Sequence, residues 1–175
     1  MSRASAMPIS TEAPGALRRD LAACGLAGPW VGLDAASKIP SAAGAYALCL
    51  ELASTLRLAL PRLGDPVLTA GWYLYAGSAR GPGGLGARIG RHFRRDKPVH
   101  WHIDRLTATA RLAALPVPDG QECALIARLI ASPAFVVPVP GFGSSDCGRC
   151  ASHLLAWRPI KADRPSARPS TRPAA

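Results

Sequence analysis

Gly71-Trp72-Tyr73-Leu74-Tyr75-Ala76-Gly77 is the segment on which the fold turns. Read at a period of two, Trp72, Leu74 and Ala76 fall on one side and Tyr73 and Tyr75 on the other, the pattern of a strand. Gly81, Gly83 and Gly84 then break the chain, and residues 85–95 change period. Leu85, Ile89 and Phe93 recur every four residues until Pro98 ends the pattern, which predicts an amphipathic helix. Upstream, Gly44-Ala-Tyr-Ala-Leu-Cys-Leu-Glu-Leu52 reads as another strand. Residues 55–60, with Leu56, Leu58 and Leu60 alternating, read as its hairpin partner. Downstream, 112–117 is extended in character, and residues 119–131, carrying Ile126, Leu129 and Ile130, predict a second helix stopped by Pro133. Strands first, then alternating helices and short extended pieces, imply a small α+β domain with helices packed on an antiparallel sheet.

The ends differ from this middle. Residues 158–175 hold four Pro and five cations and offer little to bury, so a basic disordered tail is expected there. Residues 1–32 read as a partly disordered leader with one short helix at 16–24, in which Leu17 and Leu21 are four apart. The chain of 175 residues has room for one domain of ordinary size. No run is long and apolar enough for a membrane span, and the first residues lack the apolar core of a signal peptide, so a cytoplasmic protein with no membrane partner is expected. Five Cys at irregular spacing read as reduced thiols.

Charge points toward a polyanion. The net charge is +10, and all but three of the 21 cations are Arg, whose planar forks match phosphate oxygens. Residues 80–105 alone hold seven cations against two Asp, and Arg80, Arg91, Arg94, Arg95 and Lys97 are the expected nucleic-acid contacts. Arg88 and His92 stand at i and i+4 on the helix, so a cation and a titratable imidazole share one face. Tyr75, at the end of its strand, and Tyr46, on the earlier strand, reach the same region. Each phenol serves there as a base if neighbouring charge such as Arg88 lowers its pKa, or as a hydrogen-bond donor without help.

Taken together these residues resemble the GIY-YIG nuclease superfamily. Gly44-Ala45-Tyr46 is similar to its first tripeptide, Tyr75-Ala76-Gly77 to its second, and Arg88-Ile-Gly-Arg-His92 to the Arg-x-x-x-His helix that follows. His100-Trp-His-Ile-Asp104, Glu122-Cys-Ala-Leu-Ile126 and Gly141-Phe-Gly-Ser-Ser-Asp-Cys147, followed by Ser152-His153-Leu154, resemble a prokaryotic subgroup of the same superfamily. The resemblance makes 33–157 a nuclease domain with a three-stranded antiparallel sheet flanked by helices. It implies a phosphodiester hydrolase acting on DNA, with RNA as a second possible substrate, in repair or on branched DNA. Tyr46 and Tyr75 would orient or deprotonate the attacking water, Arg88 would stabilise the phosphate charge, and His92 would assist proton transfer. Glu122 would hold the one divalent cation, Mg²⁺ or Mn²⁺, and no resident zinc is expected. The sequence departs from the superfamily at Ala45 and Ala76, where bulkier residues are usual, and in the 28 residues that separate Tyr46 from Tyr75.

Some residues admit two readings. Asp119-Gly-Gln-Glu122 has the spacing of a capping box, with Asp119 as N-cap and Glu122 at the third helical position, as an alternative to metal binding. His100, His102 and Asp104, and likewise Asp146 and His153, belong either to the site or to structural hydrogen bonds. Cys147-x-x-Cys150-x-x-His153 supplies three potential zinc ligands, with Cys123 or Asp146 as a fourth. Two other functions therefore stand beside the nuclease. One is a nucleic-acid-binding module that cuts nothing; the other is a small zinc-stabilised interaction domain.

Overall fold

The computed structural model describes residues 13–159; the N-terminal residues 1–12 and the expected tail from 160 onward lie outside the described part. Its centre is a five-stranded antiparallel sheet. The strands are β1 (Gly44–Leu52), β4 (Gly71–Ala79), β5 (Arg111–Pro118), β6 (Phe135–Val136) and β7 (Leu154–Trp157), in the spatial order β5-β1-β4-β7-β6. Among the described residues four α-helices accompany it: α1 (Gly15–Ala23), α2 (Gly84–Phe93), the single turn α3 (Asp104–Thr107) and α4 (Glu122–Ile130).

Alternation along the two central strands builds a core on each face of the sheet. Tyr46, Leu48, Leu50, Tyr73 and Tyr75 point to one side and pack with Leu85, Ile89 and Phe93 of α2 and with Ile103 and Leu106. Ala45, Ala47, Cys49, Leu74 and Ala76 point to the other and share a core with Leu17 and Leu21 of α1 and Leu125, Ile126 and Leu129 of α4. The second face is floored largely by small residues. Ala45 and Ala76 are fully buried there, beneath the two helices that occupy the room a larger side chain would take. Leu17 and Leu21, both sequestered, dock α1 firmly; burial of each is worth about 1.5–3 kcal/mol.

Three expectations change. The sheet has five strands rather than three, because β7 pairs with β4 through Tyr73↔Ala156 and β6 adds to β7. Residues 55–60 do not form a hairpin with β1. Both edges of β1 are taken, by β4 (Tyr46↔Gly77) and by β5 (Tyr46↔Pro116). Only Leu56–Arg57 (β2) is a strand, paired with Val67–Leu68 (β3) in a separate ribbon. The alternation of Leu56, Leu58 and Leu60 reflects insertion into the core instead, since Leu58, Leu60 and Leu68 are all buried against it. Finally, α4 begins at Glu122 with Gln121 as N-cap and without a side-chain capping bond. Asp119 sits at a φ of 56°, in the turn before the helix, so the capping-box reading of Glu122 is corrected.

Candidate functional site

At the edge where α2 crosses β1 and β4 lies a pocket of about 200 Å³. Tyr46, Tyr75, Arg88, His92 and Glu122, separated by up to 76 positions in the chain, all line it. Strand pairing accounts for the phenols. Tyr46 lies opposite Gly77 in the ladder, and a Cβ at Gly77 would collide with the Tyr46 hydroxyl, so glycine is required for the ring to cross the neighbouring strand. Helix periodicity accounts for Arg88 and His92, one turn apart on the face of α2 turned to the sheet.

Tyr46 Oη and His92 Nε2 share a 2.8 Å hydrogen bond, and the two rings are 5.4 Å apart. His92 is almost completely buried, which pushes its pKa down to about 3, so the imidazole is neutral at neutral pH. Its Nδ1 is buried without a hydrogen-bond partner. Burial also raises both phenols, Tyr75 to about 12 and Tyr46 well above its ordinary value; nearby Arg88 opposes this and loses. Both are therefore protonated donors in the resting protein, not phenolate bases. Tyr75 rests edge-on against Phe142, with ring centroids 6.3 Å apart. Across from it, Gly143 holds a φ of 68°, where a Cβ would stand 2.8 Å from Tyr75 Cε2.

Arg88 donates from Nε to the Ser78 carbonyl at 3.2 Å, and its guanidinium lies 4.2 Å from the Trp101 ring centroid. It is thus a fixed cation on the pocket wall. Glu122 faces it from the first turn of α4, and its Oε2 is buried with no hydrogen-bond partner. An unpartnered carboxylate oxygen in a polar pocket is costly unless something that can donate or coordinate arrives.

The remaining predicted residues divide. Asp104 is buried away from the pocket. It takes Arg91 on both oxygens, at 2.6 and 3.0 Å, and the backbone N–H groups of His100 and Trp101 on Oδ2. Burial alone would raise its pKa, but Arg91 and these N–H groups hold it down to about 2. Its role is structural, and Arg91 is committed with it. His100 is exposed, while His102 Nδ1 accepts from the Gly143 N–H at 3.1 Å. Arg95 bonds to the carbonyls of Ala108 and Ala110, Lys97 to those of His92 and Arg94, and Arg80 to that of Gly120. Arg80, Arg94 and Arg95 are exposed. Asp146 and His153 line the pocket.

Sequence reasoning passed over Trp101. It borders the pocket and has the guanidinium groups of Arg88 and Arg91 each 4.2 Å from its centroid. The signal was an aromatic between two histidines, directly after a cationic helix.

The metal expectation is corrected as well. Cys123, Cys147, Cys150 and His153 offer donor atoms that all lie within 4.8 Å of one another. Thiolates and imidazole are donors suited to zinc, whereas Mg²⁺ and Mn²⁺ take oxygen, so this set is suggestive of zinc and not of the cations expected. Among the described residues it is the one such convergence of three or more His, Cys, Asp or Glu. All five Cys are free, and Cys24 and Cys49 are buried outside this group. No described helix is long and apolar enough to cross a membrane.

Residues 45–168 match the family described as Domain of unknown function DUF123, and the chain belongs to that family. No curated protein and no solved structure matches it.

Proposed function

We propose that this member of the DUF123 family hydrolyses phosphodiester bonds in nucleic acid, DNA first, and that the pocket between α2, β4 and α4 is where the scissile phosphate sits. One observation carries this reading. Two protonated phenols, a fixed guanidinium and an unpartnered carboxylate oxygen face one another in a space suited to a phosphate and a water. The order of the central elements supports a GIY-YIG-like arrangement: β1 with Tyr46, β4 with Tyr75, then α2 with Arg88 and His92, the two strands paired with Tyr46 opposite Gly77.

Each residue then has a role that follows from its state. The guanidinium of Arg88 faces the non-bridging oxygens, where negative charge builds during in-line attack. Glu122 accepts a proton from the attacking water as the new P–O bond forms and the old one breaks. Tyr75 and Tyr46 donate hydrogen bonds to the phosphoryl group, His92, neutral, holds the Tyr46 hydroxyl in place through the bond between them, and the leaving oxygen takes its proton from water. Arg80, Arg94 and Arg95 lie outside the pocket as exposed cations for the flanking strand.

The reading is tested by incubating the full chain with supercoiled, branched and single-stranded DNA and with RNA, across divalent-cation conditions and in chelator, beside an Arg88→Ala variant. Cleavage by the native chain, slowed by about 10²–10³ in the folded variant, is expected. Tight binding with no cleavage of any substrate would replace the hydrolase with a binding module.

A further inference from the structure

We infer that Cys123, Cys147, Cys150 and His153 bind one zinc ion per chain in a closed four-ligand site, and that this site clamps residues 141–153 onto the start of α4. Two observations converge on it. The donor atoms are already nearly as close as the corners of a zinc tetrahedron. Bonds of about 2.3 Å to sulfur and 2.0 Å to nitrogen put ligand atoms roughly 3.5–3.8 Å apart; Cys123 Sγ and Cys147 Sγ are separated by 3.5 Å. His153 Nε2 is buried with no hydrogen-bond partner, in a residue only 6% exposed.

The local structure explains why a clamp is needed there. Residues 145, 146, 148, 149 and 151 are exposed, and the segment contains no regular helix or strand before β7. Apart from Phe142 and Cys150 it contributes little apolar surface to either core. Yet it carries Gly143, which packs on Tyr75, and it ends at His153, which lines the pocket. Cys123 sits next to Glu122 on the other side of the gap. A zinc ion with four protein ligands has no open position for water, so its task is to hold these two walls together rather than to attack the substrate. The metal assignment stands without the hydrolase reading; the consequence for activity rests on it.

The test begins with metal analysis of the full chain produced in zinc-replete medium, followed by cobalt substitution. One zinc per chain is expected, and Co²⁺ should give the intense visible bands of a tetrahedral site with sulfur-to-cobalt charge transfer. Cys150→Ala should weaken zinc binding by more than about 100-fold, while Cys24→Ser, outside the cluster, should leave it unchanged. Hydrogen exchange should show the 141–153 amides becoming protected on zinc loading, with β1 and β4 unaffected. If Cys150→Ala fails to fold, the native chain's metal content and cobalt spectrum still decide. A native chain without zinc, or an octahedral oxygen-ligated cobalt spectrum, would overturn the site; zinc binding without a change in 141–153 exchange would overturn the clamp. Inactivity toward every nucleic acid with zinc bound normally would count against the hydrolase alone.

Discussion

Lowering the pH from 7.5 to 5 should destabilise this protein through one buried group, His92, and the size of the effect follows from its surroundings. In the folded chain burial keeps the imidazole neutral down to about pH 3. In the unfolded chain it titrates near its ordinary value of 6.5. Acid therefore protonates the unfolded state first and pulls the equilibrium toward it. Stability from His92 is complete above 6.5 and is lost as pH falls toward the folded value. Between 6.5 and 5 about 1.5 pH units are traversed at about 1.36 kcal/mol each, so the loss at pH 5 is about 2 kcal/mol. Asp104 works in the same direction but only below its ordinary 3.8, outside the interval from pH 7.5 to 5. Urea unfolding at pH 7.5 and 5 separates the term when the native chain is compared with His92→Gln, whose amide retains a partner for Tyr46 but does not titrate. The native chain should lose about 2 kcal/mol more than the variant. Equal losses would mean that His92 is protonated in the folded protein, and the assignment of a neutral imidazole beside Tyr46 would fail.

Asp104→Ala should be the most damaging single change near the site. It strands the Arg91 guanidinium and two backbone N–H groups at a fully buried position. About 3–5 kcal/mol should be lost, a fall in Tm of roughly 6–20 °C readable by thermal unfolding. Tyr46→Phe removes the hydrogen bond to His92 and leaves the ring in place; about 1–3 kcal/mol of stability should go with it, measured by urea unfolding. DNA affinity should fall as salt rises, with a slope reflecting fewer contacts than the local cation count implies, because Arg91 is spent on Asp104. Arg94→Ala should flatten that slope in a binding titration, while Arg91→Ala should mainly lower Tm.

Much of this was legible because long elements carry a single period. The alternation in Trp72 to Ala76 and the four-residue recurrence of Leu85, Ile89 and Phe93 each survive intact in β4 and α2. Tyr46, Tyr75, Arg88 and His92 meet because those two periods aim them at one edge. What escaped depends on partners far away in sequence. Two residues of β6 and four of β7 are too short to announce a period, and their pairing to β4 is purely tertiary. Leu56, Leu58 and Leu60 alternate as strand residues do, but the alternation comes from the core they enter. The spacing of Asp119 and Glu122 suits a cap that the backbone at Asp119 does not form. Arg91 reads as a free cation until Asp104 folds back onto it. The choice between Cys123 and Asp146 as the fourth member of the Cys147, Cys150 and His153 group stayed open in the sequence, because Cys123 stands 24 residues before Cys147 and only the packing of α4 against the 141–153 segment brings them together.

The most direct test of the pocket as a hydrolytic centre is single-turnover cleavage of labelled DNA by the native chain and by Glu122→Gln, each first shown to be folded and equally loaded with metal. Glutamine keeps the size and reach of the side chain and removes its ability to take a proton from water. The variant should bind DNA at least as tightly as the native chain and cut it about 10²–10⁴ times more slowly. A Glu122→Gln protein that cuts at the native rate would contradict the account.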